Sequence, residues 1–415
     1  MNQINQLFLE ALNASLSGRQ VCWNEALPDE TWAALFKLAR AHQVVPMIFD
    51  AVYSCPAAGK ANPAMMRMFK QMTLQSAMLQ TMKTRELLML LRHLRHEGIT
   101  PCLVKGIVCR NLYPKPELRI SSDEDVLIPQ EQFERCHKAM LDYGMVIPQD
   151  TQDILGSYEV PYGKPNNPIY IELHKSLFPP ESRAYGDLNR FFADVHERVT
   201  HIAADGQDIP TLSSTDHFFY LICHAFKHFL HSGFGIRQVC DIVLFANRYG
   251  HEIDWMKVLE QCREIDAELF AAALLSIGRK HLGFDPDKAC YPQEWRRIEI
   301  DEQAMLMDLL ESGIYGDADM NRKHSSTITL GAVSDHKEGK RFRMHMLSSV
   351  FPPIDQMLGR YPYLKKKPYL LPYAWVVRIL RYRKEQQLGL ETDAVKSLKI
   401  GRERIELLRR YGIIR

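Results

Sequence analysis

The chain lacks an apolar run of the length that spans a bilayer, about 18 residues, so no membrane-spanning helix is expected from its 415 residues. It lacks a basic stretch ahead of its first apolar residues. MNQINQLFLEALNASL therefore reads as an amphipathic helix rather than a secretory signal. Its nine cysteines are odd in number and none falls in a C-x-x-C pair. A disulfide framework or a cysteine-built zinc site is not expected, and reduced core thiols in a cytoplasmic protein are. Internal repeats and low-complexity segments are missing too. Hydrophobic residues at 46% and charged residues at 25% are ordinary for a globular protein. The length allows two or three domains.

A net charge of +2 hides an asymmetry. Residues 336–415 hold 19 Lys and Arg against 7 Asp and Glu, a net +12, which leaves −10 for residues 1–335. A basic C-terminal region on an acidic body suggests an anionic partner such as RNA, or docking of that region onto the body.

Hydrophobic periodicity divides the chain into five regions. Residues 1–98 read as helical: Trp32, Leu35, Phe36, Leu38 and Ala39 recur at helical spacing, and a long helix runs from Asn62 to His96. The methionines of that helix are expected to pack flexibly in the core. Residues 99–210 read as an α/β core. TPCLV is a strand, Gly106 to Tyr113 a short helix, DEDVLI (123–128) a second strand, and 129–144 a helix. Residues 157–174 form a hairpin. Residues 211–310 return to helices. Residues 311–345 are polar and read as a mobile loop, and 346–415 as basic helices. The fold class is α+β, a small mixed sheet embedded in a mainly helical protein.

The acidic residues of the core carry the chemistry. Asp123 and Asp125 are two apart in a strand, so they share a face. In IYIELH, Tyr170, Glu172 and His174 share the face opposite Ile169, Ile171 and Leu173. Two adjacent strands would gather three carboxylates, which repel one another without a cation among them. Mg²⁺ and Mn²⁺ favour such all-oxygen ligand sets, and two metal ions are the usual device for in-line nucleotidyl displacement.

The order Leu103-Val104-Lys105-Gly106, Tyr113-Pro114, Leu118-Arg119, Ser122, Asp123-Glu124-Asp125-Val126-Leu127-Ile128 and Glu172-Leu173-His174 resembles the bacterial uncharacterised nucleotidyltransferases. That group belongs to the DNA polymerase beta-like superfamily. The resemblance implies a nucleotidyltransferase core with Asp123, Asp125 and Glu172 as metal ligands. It also implies an NTP donor, ATP by default. Lys105, Gly106, Arg119 and Ser122 would lie at the triphosphate, with His174, His224, Lys227 and His228 bordering the cleft. Two departures stand out. Glu124 occupies a position usually apolar, so its side of the strand is either wet or supplies it with a partner. Lys105 precedes Gly106 where most of the superfamily has glycine.

Several assignments stay open at this level. Lys105 and Arg119 can contact phosphate or balance the carboxylates as ion pairs. Arg237 and Asp241 suit a pair one helical turn apart. His217, His224, His228 and His231 fall near one helical stripe and suit a metal, a substrate contact or ordinary burial. The segment LKKKPYLLPYAWVVRILRYRKE suits nucleic acid, a membrane interface or a buried helix with a cationic rim. Three functions compete: transfer of NMP to a small molecule, peptide or protein; RNA-directed transfer; and an inactive nucleotide- or partner-binding module.

Overall fold

The computed structural model of the chain describes residues 1–148, 154–231, 233–312, 320–339, 354–357, 361–365, 367–387 and 394–414. It divides into two compact units. One holds Met1–Lys227 and Phe234–Ile314; the other holds His228–Gly233 and Tyr315–Arg415. Among the described residues no helix is long and apolar enough to cross a membrane.

The first unit is built on a six-stranded mixed sheet. Its strands are β1 (Cys102–Val104), β2 (Glu124–Leu127), β3 (Glu159–Lys164), β4 (Asn167–His174), β5 (Thr200–Ala204) and β6 (Gln207–Thr211), in the order β3-β4-β2-β1-β6-β5. β2 runs antiparallel to β1 and parallel to β4, and β1 runs parallel to β6. The β5–β6 hairpin has no counterpart in the sequence reading. Its turn, Asp205-Gly206, takes positive φ at both residues (48° and 70°), the geometry that joins tight hairpins.

Helices cover this sheet and continue beyond it. The N-terminal helices α1 (Gln3–Leu16), α2 (Asp29–Ala41) and α3 (Val45–Val52) bury Phe8, Trp32, Leu35 and Phe36. Then α4 runs from Pro63 to His96, started by Asn62, whose Oδ1 accepts the Ala64 and Met65 amides at 2.9 and 3.3 Å. It buries Phe69, Leu87, Leu88, Leu90, Leu91 and Leu94. The expectation that its methionines fill the core fails: Met68, Met78, Met82 and Met89 face solvent. Leucine and phenylalanine take the inward stripe instead. The short helix α5 (Gly106–Arg110) follows β1, and α6 (Phe133–Asp142) follows β2. After the sheet come α7 (Ser214–His231), α8 (Ile236–Tyr249), α9 (Trp255–Glu264) and α10 (Glu268–His281). All nine cysteines are free, and only Cys22 and Cys290 are exposed.

The second unit has its own packing. Where the sequence suggests a mobile loop over 311–345, Met320–Lys337 is a helix; residues 313–319 and 340–345 lie outside the described set. Its polar composition conceals a buried stripe of Ser325, Thr329, Ala332 and Val333. Thr329 Oγ1 donates to the Leu230 carbonyl at 2.6 Å. The helix packs on Ala394–Arg410, close enough that a Cβ on Gly401 would sit 2.6 Å from Ile328 Cδ1. Buried Arg404 donates to the Phe229 carbonyl and lies over the Phe229 ring. In the helix Leu371–Gln387, Ala374 is buried with Met357, Tyr361 and Leu364, while Tyr373, Val376 and Leu380 are exposed.

Candidate active site

Strand register brings the acids together. Asp125 of β2 lies opposite Val104 of β1 on one side and Glu172 of β4 on the other. The row therefore begins where β1 hands over to α5. Asp123 stands just ahead of β2, half-buried, with Ser122 Oγ donating to its Oδ1 at 3.1 Å.

The handover is a sharp corner at Lys105, with φ 60° and ψ −121°. A side chain at such a corner is strained, and glycine is its usual occupant. His217 of α7 holds the corner. Its Nε2 accepts the Lys105 amide at 3.1 Å, so its proton sits on Nδ1, 3.1 Å from Thr211 Oγ1, which donates to the Leu103 carbonyl at 2.6 Å. Burial pushes the His217 pKa down to about 3, so the ring stays neutral, as an acceptor must.

Beyond the corner, the Lys105 ammonium lies 2.7 Å from Asp125 Oδ2 and 3.1 Å from His224 Nε2. Burial opposes its charge, but Asp125 and Asp123 outweigh that and hold the amine above its ordinary range. Burial likewise opposes ionisation of Asp125, and Lys105 and His174 reverse it, leaving the carboxyl well below the usual range. His174 Nε2 is 3.4 Å from Asp125 Oδ1 and 3.8 Å from Glu172 Oε2, while its Nδ1 is 3.7 Å from Glu159 Oε2. Those carboxylates overcome its burial and raise its pKa. Among the described residues Glu172 has no such cation in hydrogen-bonding reach, His174 standing off at 3.8 Å. Burial, then Asp125 and Asp123, push its pKa up to about 7. Lys227 is held below its ordinary pKa by burial, although Glu159, Asp125 and Glu172 oppose that shift.

The donor set suits a divalent cation. One ligand atom from each of Asp125, Glu172 and His174 lie within 4.8 Å of one another. The Glu172 pKa is raised by burial and then by its acidic neighbours, and Lys105 is the positive charge that Asp125 has found.

Glu124 explains the first departure in the motif. It points to the other face of β2, buried and fully partnered: Oε2 accepts the Ile107 amide at 2.9 Å, and Oε1 meets Arg110 Nη1 at 2.5 Å and Ser121 Oγ at 3.2 Å. Ser121 is tied in turn to Gln80 of α4, whose Oε1 accepts the Ser121 amide at 2.9 Å. Gly106 is there for this carboxylate. A Cβ on it would lie 2.1 Å from Glu124 Oε2. The close approach that Gly106 is seen to permit is that of the Glu124 side chain.

Of the two readings left open for Arg119, the structure shows an ion pair. It is buried, with Nε and Nη2 on the Asp241 carboxylate at 2.9 and 2.5 Å, and Tyr113 donates to the same carboxylate at 2.7 Å. Arg237 does not take Asp241 as its partner; it donates to the Ile120 carbonyl and to Gln43 Oε1. Of the histidine stripe, His217 and His224 reach the Lys105 corner, whereas His228 and His231 belong to the second unit. Sequence reasoning missed Gln80, Lys83, Arg110 and Glu159. Lys83 Nζ donates to the Ser121 and Ser122 carbonyls at 2.9 and 3.2 Å, from a helix about forty residues upstream. No local pattern signals such a contact.

The profile of the uncharacterised nucleotidyltransferase family matches residues 28–283. The chain belongs to this family. The match covers the sheet, the Lys105 corner and the acid row, and ends within the first unit. No curated protein and no solved structure matches the chain. A nucleotidyltransferase of this family uses an NTP, and its acid cluster is compatible with a divalent metal.

Proposed function

We propose that the protein transfers an NMP, from ATP by default, to a hydroxyl on a small molecule, peptide or protein. The observation that carries this reading is the pairing of Asp125 with Glu172 across β2 and β4, beside the Lys105-Gly106 corner. Asp123, Asp125 and Glu172 would hold Mg²⁺ or Mn²⁺, with His174 at the edge of the set. Such a cation neutralises phosphate charge and acidifies a bound hydroxyl.

The chain's own residues supply the rest. Glu172 would either join the metal that acidifies the acceptor hydroxyl or, left uncoordinated, act as the general base that takes its proton. As the acceptor oxygen bonds to the α-phosphorus, the bond to the β-phosphate oxygen breaks and pyrophosphate leaves. Lys105, charged and fixed between Asp125 and His224, offers positive charge where pyrophosphate charge develops. Lys227 and His224 of α7 supply further polar groups on that side. His217 and Thr211 position the corner without touching reactants.

The test is turnover of α-labelled ATP, GTP, CTP and UTP with cell extract as acceptor. Wild type is compared with Asp123→Ala/Asp125→Ala, and folding of the variant is verified by circular dichroism. Metal-dependent label on an acceptor with wild type alone is the expected result. Tight nucleotide binding with no label under any metal would instead leave an inactive binding module.

A further inference from the structure

The outward face of α4 is apolar and basic together. Met68, Leu74, Met78, Leu79, Met82 and Met89 are each at least 40% exposed, Met78 reaching 65%. Arg67, Leu74, Met78, Arg85, Met89 and Arg92 follow at spacings of three, four and seven, so they form one stripe. All four side chains of Arg67, Lys70, Arg85 and Arg92 are exposed. Glu86 is the sole acid between Pro63 and His96, and it is paired with Lys164. A surface with this much clustered apolar area is seldom left bare.

Toward its C-terminal half the stripe meets a cavity of about 680 Å³. Arg85 and Arg92 of α4 line it, as do Arg110 and Asn111 at the end of α5; Glu117 and Asp205 line it too. Arg110 is 2% exposed, and its Nη2 has no hydrogen-bond partner among the described residues. We infer that this face of α4 and its cavity form a docking site for a segment of another polypeptide, apolar on one side and carrying carboxylates.

Other occupants fit less well. A second copy in a two-fold arrangement would set the same four cations against themselves, with only Glu117 and Asp205 at the cavity to oppose them. A bilayer is flat and leaves a concave cavity unfilled. Nucleic acid would use the arginines but gain nothing from four methionines and two leucines. A peptide helix laid along α4 uses all three features: methionines adapt to its apolar side chains, the arginines meet its carboxylates, and one side chain enters the cavity.

The site lies behind the acid row. Glu124 and Asp125 are consecutive in β2 and point to opposite faces, and Arg110 belongs to the Glu124 side. A docked segment would therefore touch the back of the Lys105 corner through Arg110 and Glu124, not the reactants. The inference does not depend on the transfer reaction.

Fluorescence anisotropy with two labelled amphipathic helical peptides tests it. Both carry the same leucine and phenylalanine face; one has glutamates on its polar side, the other lysines. The glutamate peptide should bind the full-length protein in the micromolar range and the lysine peptide at least tenfold more weakly. Met78→Asp/Met82→Asp and Arg85→Glu/Arg92→Glu should each weaken glutamate-peptide binding about tenfold or more, with thermal melting unchanged because all four positions are exposed. Equal binding of the two peptides, no binding of either, or indifference to both variants would overturn the proposal. So would flotation with phosphatidylserine-containing vesicles, or dimerisation by light scattering, that Met78→Asp/Met82→Asp abolishes.

Discussion

The acid row is assembled by residues that solve one another's electrostatic problems, and Gly106 shows how tightly. Its missing side chain leaves room for Glu124 Oε2, which accepts the Ile107 amide. Gly106→Ala should cost about 2–4 kcal/mol in urea unfolding, because the new Cβ meets a carboxylate locked to Arg110 and the residue sits at positive φ. A loss under 1 kcal/mol would show that Glu124 can swing away. Glu172 is the opposite case, a carboxyl with too little positive charge nearby. In the unfolded chain it ionises near 4.5, in the metal-free fold near 7. Below 4.5 both states hold the proton and the group is neutral toward stability. As pH rises from 4.5 to 7 the unfolded chain releases it and the fold does not, so this carboxyl lowers stability by up to about 3 kcal/mol. Unfolding free energies of wild type and Glu172→Gln, measured without metal, should therefore diverge in favour of the variant as pH rises across that window. Parallel curves would refute the assignment.

At the scale of elements, the sequence exposed what obeys local rules and hid what depends on distant partners. The strands Cys102–Val104 and Glu124–Leu127 are legible as short runs with apolar, β-favouring residues, Asn167–His174 because apolar alternation marks it, and α4 because a cap and a long periodic stretch do. The β5–β6 hairpin carried a usable signal, Asp205-Gly206 between short alternating runs, that a polar composition masked. The partners of Glu124 and Arg119 were not readable at all. Asp241 lies 122 residues from Arg119 and Gln80 lies 41 from Ser121, and only the packing of α8 and α4 brings them there. The same holds for the support of the Lys105 corner, where α7 and β6 cooperate. Removing the relay from β6 by Thr211→Val leaves the His217 Nδ1 proton and the Leu103 carbonyl without their hydroxyl. The expected loss is about 1–3 kcal/mol of stability. Turnover should fall several-fold at unchanged nucleotide KM if the corner positions Lys105 for the leaving group rather than for binding. A rise in KM alone would assign the relay to nucleotide affinity.

On the scale of the whole molecule, the family match and the acid row fall in one unit, while the net +12 of residues 336–415 belongs to the other. The metal binding proposed for the acid row should therefore appear as a property of the first unit's stability, separate from anything the basic region binds. Asp125 is already ionised and paired, but Glu172 and His174 both hold protons more firmly than usual. A divalent cation must displace those protons, so its affinity rises with pH. Mg²⁺ added in excess should raise the melting temperature, and more at pH 8 than at pH 6. Binding at a hundred times Kd corresponds to about 2.7 kcal/mol. Chelation should reverse the shift. Asp125→Asn and Glu172→Gln should abolish it, the first at an added cost because Lys105 loses its carboxylate. Removal of residues 336–415 should leave the Mg²⁺ shift intact wherever the shortened chain folds. A shift that survives Glu172→Gln, or one that is larger at pH 6, would place the cation elsewhere and remove the metal from the proposed reaction.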